Sequence, residues 1–231
     1  MKYNIQNQDI ELEVNINVFE PSLHGSSALG SVIKVNKGDT VLDMGTGTGL
    51  LAILAAKLGG IVTAVDLVSD AIELTRKNAE RNNVVIDAKV GSLFTPVQGS
   101  IYDVIIANVP QENLSPNIIN SLSPKKVIGM HGGENGNAIL LKTLELSPSF
   151  MHKDSRLYVV VYSMSDFRTS LKVITEKYKA RLLNFYTGPV KEFVYSDIKF
   201  YEIMAKKGGI NIYKQGNGYW ADLFIFELSL K

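Results

Sequence analysis

The segment Val41-Leu42-Asp43-Met44-Gly45-Thr46-Gly47-Thr48-Gly49-Leu50 constrains the fold more than any other part of the chain. A short apolar run enters three glycines at alternate positions. An alanine- and leucine-rich stretch, Gly49 to Leu58, follows and is stopped by Gly59-Gly60. The order is strand, tight turn, helix. Glycine suits such a turn because it accepts positive φ and lets a ligand come close to the backbone. In a doubly wound sheet that turn lies at the carboxyl edge, where ligands bind. The spacing is not the dinucleotide fingerprint, whose third glycine would fall on Leu50, and no G-K-[ST] follows to make a P-loop. Asp66 ends the next apolar run, 23 residues after Asp43. A carboxylate there can accept hydrogen bonds from two ribose hydroxyls and repels a 2′-phosphate.

The rest of the chain keeps the same rhythm. Thr40 to Asp43, Ile61 to Val65, Val84 to Val90 and Tyr102 to Ala107 read as strands, and a helix capped by Ser69 runs to about Asn82. Asn135 to Leu146 reads as a helix that Glu134-Asn135 can cap. Arg156 to Tyr162 follows as a strand and Ser165 to Ala180 as an amphipathic helix. Arg181 to Tyr186 and Ala221 to Leu228 close the pattern as strands. The expected fold is α/β: a Rossmann-like, doubly wound, seven-stranded and mostly parallel sheet with a final antiparallel strand pair. Residues 1–231 are expected to form a single domain, with 1–18 as an N-terminal arm and 197–218 as an insertion between the last two strands.

These residues resemble the class I S-adenosylmethionine-dependent methyltransferases. The resemblance rests on Val41 to Leu50, Val65-Asp66, Gly91-Ser92-Leu93-Phe94 and Tyr102 to Asn108. It implies S-adenosyl-L-methionine as cofactor. Asp43, Gly45, Thr46, Gly47, Gly49, Asp66, Leu67, Ser92, Leu93 and Asn108 would then form its site, with Ser92 standing where many relatives carry an aspartate. Asn108-Val109-Pro110-Gln111 sits where amino- and amide-methylating relatives carry Asn-Pro-Pro-Tyr. Together with Phe19-Glu20-Pro21 and Gly132-Gly133-Glu134-Asn135-Gly136, it looks most like the glutamine methyltransferases that act on release factors.

The chemistry gives the asparagine a reason. An amide nitrogen is a poor nucleophile because its lone pair is delocalised. The Asn108 oxygen and a nearby backbone carbonyl can accept its N–H protons and hold it as charge develops. Pro110 biases Val109 to an extended conformation. Gln111 replaces an aromatic ring with a donor and an acceptor. Asn108, Pro110 and Gln111 are the expected catalytic set, with His24, Val109, Gln111 and His131 as acceptor contacts. The expected reaction is methyl transfer to an amide or amine nitrogen of a peptide, protein or small polar metabolite. S- or O-methylation, or a cofactor-binding module without turnover, remain open beside it.

Composition narrows the alternatives. The chain has no cysteine and three histidines, which excludes thiolate chemistry and disfavours a metal site. Twenty-four basic against 23 acidic residues give a net charge of +1, and Lys125-Lys126 and Lys206-Lys207 are too short to track RNA, so structured nucleic acid is not an expected partner. No apolar run approaches the roughly 18 residues of a membrane helix, and the start lacks a secretory pattern. A cytoplasmic protein is the expectation.

Overall fold

The computed structural model describes residues 1–15, 17–133 and 135–231, and for residues 23 and 24 the backbone alone. A hairpin of β1 (Lys2–Ile5) and β2 (Gln8–Glu11) precedes the short helix α1 (Ala28–Val32). The α/β pattern then runs β3 (Thr40–Met44), α2 (Leu50–Lys57), β4 (Ile61–Asp66), α3 (Ser69–Arg81), β5 (Ile86–Val90), β6 (Tyr102–Ala107). Next come α4 (Pro116–Ser121), α5 (Pro124–Met130), α6 (Ala138–Leu146), β7 (Met151–Tyr162), α7 (Phe167–Lys177) and β8 (Tyr178–Pro189). The final stretch holds α8 (Glu192–Tyr195), α9 (Ile198–Lys206), β9 (Ile212–Gln215) and β10 (Gly218–Leu230).

The sheet runs β5-β4-β3-β6-β7-β10-β8, with β9 added against β10. Strands β5, β4, β3, β6 and β7 are parallel, and β10 is antiparallel to both β7 and β8. The seven expected strands are therefore present in a mostly parallel sheet, and β9 is a short eighth. Parallel strands covered on both faces lack polar alternation, and the two core clusters show why. Val41, Val104, Ile106, Tyr158 and Val160 point to one face with α2 and the hairpin. Leu42, Ile105, Leu157, Val159 and Val161 point to the other with α6.

Strands β7, β8 and β10 run longer than the sequence expectation, β5 starts two residues later, and three helix boundaries differ for reasons the contacts show. Ser69 is the first residue of α3 rather than its cap, and Val68 precedes it with no side-chain capping bond. Helix α6 starts at Ala138, and the Asn135 carbonyl instead accepts the Asp166 N–H; Glu134 lies outside the described residues. Helix α7 stops at Lys177 because Tyr178, which is buried and donates to the Leu144 carbonyl, begins β8.

The N-terminal hairpin buries Ile5, Ile10 and Leu12 in the first core cluster. Two buried asparagines, Asn78 of α3 and Asn82 just after it, hold the segment that leaves the hairpin. Asn82 bonds the Glu11 backbone at 3.0 and 2.7 Å, and Asn78 bonds the Glu13 backbone at 2.7 and 3.0 Å. Asn78 also donates to the Thr48 carbonyl at 2.9 Å, so one side chain ties this segment to the glycine turn. Among the described residues, no helix is long and apolar enough to cross a membrane.

Candidate active site

The sheet order reverses between β3 and β6, and the crevice at that switch point is where the site residues converge. The turn after β3 is held from three sides. The Gly45 and Thr46 amides donate to the Val65 carbonyl, the Thr75 hydroxyl donates to the Gly47 carbonyl, and the Gly47 amide donates to Asp66 Oδ2 at 2.9 Å. Gly47 has φ +56°, and a Cβ placed there would meet only the Phe19 carbonyl, at 3.9 Å. A side chain at Gly47 would thus be strained in the left-handed region and would stand in the cavity.

That cavity measures about 190 Å³. It gathers Gly45, Thr46, Gly47, Asp66, Leu67, Ser92, Leu93, Asn108, Val109 and Pro110 from four strand ends. Asp66 also accepts the Val68 amide at 2.9 Å, which leaves each carboxylate oxygen a further acceptor position. Burial pushes the Asp66 carboxyl above its ordinary value, against the pull of the Val68 and Gly47 amides. Leu67 is 56% exposed at the cavity mouth, an apolar surface with no cover. Val109 is buried, and its Cα and Cγ1 both lie 3.7 Å from the would-be Cβ of Gly45.

Two residues expected in this site stand behind it. Asp43 is buried and its Oδ2 accepts the Ala52 amide in the first turn of α2 at 3.1 Å. Burial pushes its carboxyl up to about 7, against the opposing pull of the Thr46 hydroxyl and the Ala52 amide. Gly49 has φ +86° and packs on Thr75 of α3, 3.1 Å from its would-be Cβ. Both shape the turn and do not line the cavity.

A second cavity of about 220 Å³ meets the first at Phe19, Ser26, Asn108, Val109, Pro110 and Gly129. The Asn108 Nδ2 donates to Ser26 Oγ at 3.0 Å, which fixes the amide, and no donor among the described residues reaches its Oδ1. Gln111 lines the second cavity, with part of its amide engaged by the main chain. Its Nε2 donates to the Val160 carbonyl at 2.8 Å and its Oε1 accepts the Tyr162 amide at 3.2 Å. Paired strand β6 ends at Ala107 opposite Val159, and the Gln111 amide continues that ladder past the strand end. His131, by contrast, lines neither cavity; its Nδ1 lies 3.2 Å from the Glu112 carbonyl and its backbone bridges Glu112. The His24 side chain lies outside the described residues. Gly132 follows, and a Cβ on it would lie 2.0 Å from the Gly136 carbonyl and 2.8 Å from that of Pro110, so glycine lets this turn close over the Asn108–Gln111 loop.

Sequence reasoning missed Ser26, Glu112, Lys191, Tyr162 and Tyr186. Ser26 lay in a segment already singled out, and Glu112 adjoins the tetrapeptide. Lys191 comes from the excursion after β8 and carries no sequence signal.

The protein-family model described as ribosomal protein L11 methyltransferase (PrmA) matches residues 26–133. A ribosomal protein L11 methyltransferase of Dechloromonas aromatica is 43% identical over 102 residues, 42% of this chain and 33% of that protein. The chain thus spans about a third of the length of the L11 methyltransferases that head its relatives. The solved structure of the L11 methylase of Lactobacillus delbrueckii subsp. bulgaricus superposes with a TM-score of 0.52 at 19% identity, covering 94% of this chain and 83% of that one, a likeness of fold. A protein of Methanocaldococcus jannaschii named as a putative protein N5-glutamine methyltransferase is 30% identical over 162 residues, 70% of this chain and 80% of that one. With an alignment reaching across four-fifths of that relative, the chain belongs to the class I S-adenosylmethionine-dependent methyltransferases.

Proposed function

We propose that the protein transfers a methyl group from S-adenosyl-L-methionine to a side-chain nitrogen of a peptide or protein, with Asn108 as the group that holds that nitrogen. The relatives support a protein acceptor: one is named for ribosomal protein L11 and one for glutamine N5. The observation that carries the reading is the place of Asn108, on the line where the two cavities meet, with its nitrogen fixed by Ser26 and its oxygen met by no donor among the described residues.

The first cavity fits the cofactor. The turn after β3 offers backbone and no side chain at Gly45 and Gly47, Asp66 retains acceptor positions for ribose hydroxyls, and Leu67 and Leu93 offer apolar surface beside a purine. The cofactor supplies an electrophilic sulfonium methyl. The chain supplies position and dipoles. Asn108 Oδ1 accepts an N–H of the acceptor, and that bond strengthens as the nitrogen gains positive charge. Pro110 keeps the Val109 backbone extended, and Ser26 holds the Asn108 amide against rotation. The Gln111 amide, bound to β7, presents no ring for a flat base to stack on, which favours a slender side chain in the second cavity.

The test is turnover with glutamine- and lysine-bearing peptides, read as S-adenosylhomocysteine produced. Asn108→Ala should lower kcat by roughly 10²–10³, the scale for removing one preorganised polar contact, with S-adenosylhomocysteine affinity little changed. An Asn108→Ala protein turning over at the wild-type rate would reject the nitrogen mechanism and favour a thioether acceptor, which has no N–H to hold.

A further inference from the structure

The second cavity holds a charged feature that Asn108 chemistry does not use. Glu112 is 9% exposed in its side chain, and its backbone is pinned at both ends: its N–H donates to the Met130 carbonyl and its carbonyl accepts the Gly132 N–H, each at 3.0 Å. The carboxylate therefore stays where it is, and a partner must come to it. The partner present is the Lys191 ammonium, which bonds Glu112 Oε1 and lies 4.6 Å from the centre of the Phe19 ring. A buried carboxylate and an aromatic face both attract a cation. Here they converge on one spot in the wall of the cavity that Asn108 and Pro110 also line. Lys191 reaches that spot from the opposite side, on a flexible stem at the start of the excursion between β8 and β10, with its side chain 34% exposed.

We propose that Phe19 and Glu112 form a cation subsite of the acceptor pocket, filled by the Lys191 ammonium until an acceptor bearing its own ammonium or guanidinium group takes that place. This rests on the reading of the second cavity as the acceptor pocket. The methylated nitrogen meets Asn108, and the fixed charge beside it meets Phe19 and Glu112. The occupant is a cation rather than an anion for a physical reason. An anion drawn to Lys191 must pull it away and leave Glu112 buried and unpaired, or else sit beside that carboxylate. A cation that displaces Lys191 replaces one ion pair by another and returns Lys191 to water. The field at this spot agrees: the Tyr162 and Tyr201 phenols are pushed up first by burial and then by the Glu112 charge. Lys191 then works as a selectivity filter, because an acceptor without a cation leaves it in place and meets a narrower cavity.

The experiment uses n-butylammonium as the probe, with n-butanol and butanoate as neutral and anionic counterparts, on the full chain. Calorimetry and thermal unfolding are the readouts. Lys191→Met removes the resident cation and should bind n-butylammonium at least tenfold more tightly than the wild type, with a rise in Tm that n-butanol does not produce. Lys191→Met combined with Glu112→Gln should lose that preference. If Lys191→Met does not fold alone, n-butylammonium must restore folding and n-butanol must not. Equal effects of the two probes on Lys191→Met overturn the proposal. So does butanoate binding to the wild type that Lys191→Met abolishes, which would mark an anion site. None of these readouts needs turnover. Their failure beside an impaired Asn108→Ala rejects the cation subsite alone, and their success beside an unimpaired Asn108→Ala rejects the Asn108 reading alone.

Discussion

The two cavities are built on opposite plans. The first is made from the turns that leave β3, β4, β5 and β6, and its fixed points are backbone amides, two glycines and one carboxylate. The second is walled by side chains from five distant segments, among them Phe19 and Ser22, Glu112, Tyr162, Tyr186 and Lys191, and Leu223. The family model, at residues 26–133, covers most of the first wall and less than half of the second. On the proposed reading, a cofactor common to many enzymes is met mainly by one block of chain, and the acceptor by a surface gathered from pieces that can change with less effect on that block.

The largest effect expected on the backbone side is that of Gly47→Val. A β-branched residue at φ +56° costs about 1–2 kcal/mol in backbone strain, and its side chain enters the cavity, so S-adenosylhomocysteine affinity should fall about 100-fold or more by calorimetry. Unchanged affinity in a folded variant would mean that the first cavity does not hold the cofactor. Gln111→Ala probes the other plan and should act on stability. Loss of both ladder bonds leaves the Val160 carbonyl and Tyr162 amide unpaired, which costs about 1–3 kcal/mol in denaturant unfolding, while cofactor affinity holds. A variant of wild-type stability with a raised KM would return Gln111 to the acceptor and blur the distinction.

The smallest signal is a slope. Asp43 is held protonated up to about 7 in the folded protein against 3.8 for a free carboxyl. The folded state therefore binds the proton more tightly than the unfolded one. The contribution is fully present below 3.8 and is lost as pH rises through about 7. Stability measured across that window should fall with rising pH by at most about 1.4 kcal/mol per unit from this group, and Asp43→Asn should remove that component. An unaltered slope would place the Asp43 carboxyl in a wetter setting than its burial behind the turn implies.

Much of the backbone plan was legible in the sequence. Glycines at alternate positions, Asp66 at a strand end and Asn108-x-Pro110 each carry local geometry, and local geometry is what residue order encodes. Asp43 and Gly49 were harder. They belong to the same turn, but whether a side chain there faces ligand or helix depends on how α2 and α3 close behind it. The structural bonds of Gln111 were hidden because its partners are main-chain groups of β7, some fifty residues away, and nothing in a tetrapeptide shows where a neighbouring strand outruns its ladder. Lys191 was illegible for the same reason: its meaning is given entirely by the carboxylate and ring it meets across the cavity.

The place of β10 between β7 and β8 has a consequence for how the chain comes to be made. Strand β8 leaves the ribosome before the strand that will hold it, and β7 waits with one edge unpaired while the whole excursion of α8, α9 and β9 is synthesised. A long apolar edge is a template for foreign strands, so the nascent chain passes through an interval in which it is exposed to mispairing. The wall that carries Tyr186, Lys191 and Leu223 takes shape only when β10 slides into that gap. A nascent chain can therefore complete its glycine turn well before the second cavity, the proposed acceptor site, has its walls.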